Sequence, residues 1–145
     1  MPTRTARTAW NGSFEEGSGQ VELSSSGVGT YTVSFPTRSA DDANGVTSPE
    51  ELIAAAHSSC YAMQLSALLG AAGHALDALH VSVEVDLGPD PAGGFRIPAI
   101  RVAVEGEVAG IDEARFVEIA QEAKATCPVS KALAGTEISL TASLA

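Results

Sequence analysis

Nine consecutive positions, Leu79-His80-Val81-Ser82-Val83-Glu84-Val85-Asp86-Leu87, alternate apolar and polar. This predicts a strand with one buried and one wetted face. The same alternation returns at Thr136–Leu144, with Ile138, Leu140, Ala142 and Leu144 on one side. Between them GPDPAGG turns the chain into Phe95–Val108, where the apolar register shifts between Ile97 and Ile100 across Pro98. Proline removes a ladder donor, so a bulge or break there reconciles the two halves. The first third is more polar. Short candidate strands at Thr5–Trp10, Gly19–Ser24 and Thr30–Phe35, separated by NGSFEEGSG and SSSGVG, predict a meander.

Helical signals interrupt the strands twice. After the loop PTRSADDANGVT, Ser48-Pro49-Glu50-Glu51 supplies an N-cap, a proline in the first turn, early acids and an S-x-x-E capping box. The helix it opens is predicted to run to Gly70–Gly73. A second helix is predicted from near Asp112, with Phe116, Ile119, Ala120, Ala123 and Cys127 on one face. Pro128 predicts a break or restart directly after Cys127. The predicted order is β-β-β-α-β-β-α-β. It lacks the regular alternation of a parallel sheet, so the class is α+β. No repeat, linker or low-complexity segment divides residues 1–145, which read as a single domain.

From Leu52 to Leu76 no side chain carries a formal charge, long enough to cross a bilayer. His57, Ser58, Ser59, Gln64, Ser66 and His74 lie within it, and alanine supplies most of its apolar character. It therefore reads as a helix buried in a soluble protein or between two subunits, not as a membrane span. The opening MPTRTARTAW has no apolar run of a secretory leader, so a reducing, cytoplasmic setting is expected. Net charge is -10, from eight Lys+Arg against eighteen Asp+Glu, and the basic residues are scattered. Nothing neutralises a row of phosphates, so nucleic acid is not an expected partner.

The chain holds two cysteines, Cys60 and Cys127, too few for a disulfide framework and without a CxxC pair for zinc. Taken singly, each reads as a small buried apolar residue. Cys60 lines up with Leu52, Ala56, Met63 and Ala67, and Cys127 continues the apolar face of the second helix. If the two helices pack side by side, the sulfurs come within disulfide reach. A mid-helix apolar site raises a thiol pKa unless a cation is supplied. The helix dipole cannot supply that charge, because Cys60 lies ten residues beyond Glu50, roughly 15 Å along the axis. Arg38, expected at a strand end, is the only basic residue between Arg7 and Arg96. It reads either as a solvated charge or as the missing cation. His57 reads as a packing or interface residue, His74 and His80 lack metal-ligand partners at useful spacing, and Glu51 is expected to close the capping box.

The segments FPTRSA, TSPEELIAAAHSSCYAMQLSALL and AKATCPVSKAL, with the TAWNG opening and the VAGID lead into the second helix, together resemble the OsmC/Ohr family of cysteine-based hydroperoxide peroxidases. The position of the arginine and the AAH before SSC favour the OsmC branch. The resemblance implies an α+β fold with a central buried helix and an intertwined homodimer with active sites at the subunit interface. It implies reduction of organic hydroperoxides, and to a smaller extent hydrogen peroxide, to alcohol or water. It assigns Cys60 as the peroxidatic thiol, Cys127 as the resolving thiol, Arg38 as the activating cation and Glu50 as its partner. It implies no metal or bound cofactor and an external dithiol reductant of lipoyl type. On a straight helix Glu50 and Cys60 are also about 80° apart around the axis. Either Arg38 bridges that gap or a partner subunit supplies Glu50 or Arg38. The competing reading is a non-catalytic dimer that binds an apolar ligand at its interface; a structural dimer with inert thiols is a third.

Overall fold

The polar first third folds as the expected meander. In the computed structural model, which describes residues 1–145, β1 (Arg7–Asn11), β2 (Ser18–Glu22) and β3 (Thr30–Val33) pair antiparallel in that order. They belong to a compact unit, Met1–Leu52, and Ile53–Ala145 forms a second. The third strand is shorter than expected. Ser34 is still extended (φ -151°, ψ 155°), and α1 (Phe35–Arg38) follows with proline in its first turn, a position whose fixed φ suits it. The Ser34 and Thr37 hydroxyls, 2.7 Å apart, tie the turn together. Arg38 therefore sits in the last turn of a short helix rather than at a strand end.

This first unit is thin. Val21 is its only buried apolar side chain, while Trp10 is 44%, Phe14 54% and Tyr31 42% exposed. The Phe14 and Phe35 rings meet at 4.0 Å between centroids. At its end α2 (Pro49–Ala71) begins with half of the expected capping box: the Glu51 N–H donates to Ser48 Oγ at 3.1 Å. The other half is diverted, because the Glu51 carboxylate accepts the Thr47 hydroxyl at 2.6 Å.

The second unit is built on three strands, β4 (Leu76–Val85), β7 (Ala99–Val108) and β8 (Glu137–Leu144), with β7 central, antiparallel to β4 and parallel to β8. Between β4 and β7 the chain makes a small ribbon of β5 (Gly88–Pro89) and β6 (Phe95–Arg96). The break expected at Pro98 is the gap between β6 and β7. Asp112 caps α3 (Glu113–Thr126), accepting the Arg115 N–H on its side chain. Cys127 ends α3, and α4 (Pro128–Ala132) restarts behind it as Pro128 predicts. The parallel β7/β8 pair is joined through these helices, a single crossover in an otherwise antiparallel α+β fold.

Ile100, Val102 and Val104 face inward from β7 against Phe116, Ile119, Ala120 and Ala123 of α3. At Gly106 the sheet has no side chain to give: an added Cβ would lie 2.6 Å from the Phe116 ring. That absence lets the ring settle onto the strand. From α2, the core takes Tyr61, Leu65 and Leu69, with His57 one turn earlier. The buried stripe thus runs at four-residue steps beside the line of Leu52, Ala56, Met63 and Ala67; in the single chain Met63 is 71% exposed. By length and composition α2 is apolar enough to cross a membrane, yet its own chain buries only 22% of its most apolar window.

Candidate active site

Two pairs of side chains stand out, one in each unit. In the first, α1 ends on Arg38 and α2 starts with Glu50, twelve residues later. The Arg38 guanidinium grips the carboxylate at two points, Nη2 to Oε1 at 2.7 Å and Nε to both oxygens at 3.1 Å. Glu50 is only 7% exposed, and a buried ion with its partner removed is costly. A cavity of about 250 Å³ adjoins the pair, lined by Trp10, Phe14, Val33, Ser34, Phe35, Arg38 and Pro49. Its walls are aromatic and aliphatic apart from the guanidinium and one serine.

In the second unit the Cys60 and Cys127 sulfurs are 3.2 Å apart, both as free thiols. A disulfide requires about 2.05 Å, so bonding asks for roughly an ångström of approach between the sulfurs. Three hydrogen bonds set this distance by fastening α2 to α3 and α4 around Cys60. The Tyr61 hydroxyl donates to the Ala120 carbonyl at 2.9 Å. The Gln64 side-chain amide donates to Thr126 Oγ1 at 2.9 Å, one residue before Cys127. His57 Nε2 lies 2.7 Å from Ser130 Oγ, both side chains buried.

The two thiols differ. Cys127 has no exposed surface, whereas Cys60 is partly accessible. Burial raises the Cys60 pKa, and the neighbouring Cys127 adds to the effect; only the Val129 N–H works the other way. Burial also pushes on Cys127, but the Ser130 N–H, the Cys60 thiol, the Ser130 hydroxyl and the Val129 N–H outweigh it and hold Cys127 below the usual thiol range. Val129 and Ser130 stand in the first turn of α4, where the Cys127 side chain closes no capping hydrogen bond. Tyr61 is pushed far up by burial and stays a neutral donor.

The sequence-predicted residues thus fall together as Arg38 with Glu50 and as Cys60 with Cys127. The clamp of His57, Tyr61, Gln64, Thr126 and Ser130 was missed as a group, although H-x-x-x-Y-x-x-Q places three polar groups on one helix side. No three His, Cys, Asp or Glu side chains converge as metal ligands do.

Residues 41–143 match the family model described as OsmC-like protein. The chain is 40% identical over 124 residues to Peroxiredoxin OsmC of Escherichia coli (strain K12), covering 86% of this chain and 85% of that protein. Among solved structures, an organic hydroperoxide resistance protein of Elizabethkingia anophelis superposes with TM-score 0.80 at 25% identity, over 100% of this chain and 98% of that one. The organic hydroperoxide resistance protein OhrB of Bacillus subtilis gives TM-score 0.73 at 25% identity, over 97% and 98%.

Proposed function

We propose, from the premise that this chain belongs to the OsmC-like protein family, that it is a thiol-dependent peroxidase reducing organic hydroperoxides, and hydrogen peroxide to a smaller extent. The observation that carries the reading is the 3.2 Å approach of the only two cysteines. The names of the relatives, a peroxiredoxin and organic hydroperoxide resistance proteins, support the same chemistry.

In this reading the Cys60 thiolate attacks the O–O bond. The nearer oxygen goes to sulfur as sulfenic acid and the other leaves as alkoxide, which takes a proton to become the alcohol. Cys127 then displaces hydroxide from the Cys60 sulfenic acid; with a proton this leaves as water, and the product is an intrachain disulfide. An external dithiol of lipoyl type gives two electrons to reopen it and is itself oxidised to a disulfide. No metal or prosthetic group takes part. Within its own unit Cys60 meets burial and a second thiol, both of which oppose ionisation. The thiolate therefore needs a cation, and Arg38 is assigned that task, with Glu50 orienting the guanidinium. A cation there also favours charge on the departing oxygen. The apolar cavity beside Arg38 suits a hydrocarbon tail, which favours organic hydroperoxides as substrates.

The reading takes residues 1–145 as one functional domain acting in the cytoplasm as a homodimer that completes each catalytic centre. The exposed side of α2 and the exposed Trp10, Phe14 and Tyr31 are apolar surface that a second copy would cover. The alternative, a non-catalytic dimer holding an apolar ligand, gives the paired thiols no task. Turnover of cumene hydroperoxide with dihydrolipoamide separates them. Cys60→Ser is expected to abolish turnover; Cys127→Ser is expected to consume one equivalent and then stall. Undiminished turnover by Cys60→Ser overturns the reading.

A further inference from the structure

His57 is a fully buried imidazole whose Nδ1 has no hydrogen-bond partner, while its Nε2 is 2.7 Å from Ser130 Oγ. Burial favours the neutral ring. A proton on Nδ1 would leave a buried donor with nothing to bond, which native structures avoid more strictly than an unsatisfied acceptor. The single proton therefore sits on Nε2 and is donated to Ser130. That leaves the Ser130 hydroxyl hydrogen free for a second partner. Ser130 is the third residue of α4 and Cys127 immediately precedes that helix, so the serine stands one helical turn from the sulfur, with no capping hydrogen bond closed while Cys127 is a thiol. Both the N–H and the hydroxyl of Ser130 favour negative charge on the Cys127 sulfur.

We propose that Ser130, fixed by His57, hydrogen-bonds the Cys127 thiolate and so makes Cys127 the leaving group when the dithiol reopens the disulfide. This rests on the peroxidase reading above. Cys127 has no exposed surface, so the incoming thiolate reaches the Cys60 sulfur. A bond forms between the reductant sulfur and Cys60, the Cys60–Cys127 bond breaks, and its electron pair leaves on Cys127, which later takes a proton. The second thiol of the reductant attacks the mixed disulfide, closes the reductant's own disulfide and releases Cys60. A leaving thiol that is easier to ionise departs faster. Ser130 is thus a catalytic residue of the recycling step, and His57 is a positioning residue acting through it.

The test starts from protein oxidised with one equivalent of cumene hydroperoxide and follows its reduction by dihydrolipoamide in a stopped-flow instrument. Ser130→Ala is expected to slow reduction about tenfold. His57→Leu is expected to slow it similarly. His57→Gln, which keeps an N–H near the Nε2 position, is expected to stay within about threefold of wild type. In the Cys60→Ser background, thiolate absorbance against pH is expected to show the Cys127 pKa higher with Ser130→Ala than without it. Nitrogen-15 NMR of wild-type protein is expected to show the Nε2–H tautomer of His57; the Nδ1–H tautomer overturns the proposal without any variant. Equal reduction rates for wild type and Ser130→Ala, with the disulfide forming normally, overturn this inference alone. Absence of a peroxide-induced disulfide in wild type overturns the peroxidase reading instead.

Discussion

The two units hold their charged and reactive groups in opposite ways. In Met1–Leu52 an arginine and a carboxylate grip each other on a thin meander whose one buried apolar side chain is Val21. In Ile53–Ala145 two thiols are pinned against a continuous core by hydrogen bonds from His57, Tyr61 and Gln64. In the peroxidase reading the contrast follows the chemistry asked of each. A disulfide that forms and breaks with about an ångström of sulfur movement needs a rigid frame. A guanidinium assigned to meet substrates of varied shape would tolerate a lighter scaffold, provided its own partner fixes its plane.

Phe116→Ala strikes the rigid side hardest. It removes the ring seated over Gly106 at the centre of the second core and is expected to cost about 3–5 kcal/mol in urea denaturation. A loss under about 1 kcal/mol would mean that this core is not the frame for the thiols. Arg38→Ala strikes the lighter side: kcat/KM for hydroperoxide is expected to fall about 10²–10³-fold. The Glu50 carboxylate left buried should cost about 1–3 kcal/mol besides. A stability loss with unchanged kcat/KM would make the pair purely structural. Met63→Glu sharpens the contrast between covered and uncovered faces of α2. At an exposed site the substitution should change single-chain stability by less than about 0.5 kcal/mol. Sedimentation should nevertheless show a monomer where wild type gives the proposed dimer, with activity lost alongside it; a fully active monomer would remove the shared catalytic centre from the account.

The smallest effect concerns pH. Burial lowers the His57 pKa from its ordinary 6.5, so the unfolded chain takes up a proton that the folded chain resists. This stability is complete above the ordinary value and is lost as pH falls below it, at up to about 1.4 kcal/mol per pH unit. His57→Gln is expected to flatten that segment of the stability profile. An unchanged slope would assign the acid loss to another group.

Much of this was legible from residues alone. The alternation around Val81 and Val83, the proline after Cys127 and the cap at Ser48 are local signals, and each appears where its local physics puts it. The buried side of α2 was not legible, because a helix apolar almost all round gives no facial signal; the stripe of His57, Tyr61, Leu65 and Leu69 is chosen by α3 and α4. The short helix carrying Arg38 was hidden in the same way. Its Phe-Pro-Thr follows a run of strand-forming residues, and only the extended Ser34 divides the two. The thiol pair was legible as two positions and a condition on helix packing, which the structure meets at 3.2 Å.

The central claim is that Cys60 and Cys127 form one redox couple within a chain. Its most direct measurement treats wild-type protein with one equivalent of cumene hydroperoxide and maps its peptides without reduction. The account predicts one molecule of alcohol per chain, a chain lighter by two hydrogens and a single intrachain link between the peptides of Cys60 and Cys127. Unconsumed hydroperoxide with both thiols intact, or Cys60 driven to sulfinic acid while Cys127 remains a free thiol, would contradict it.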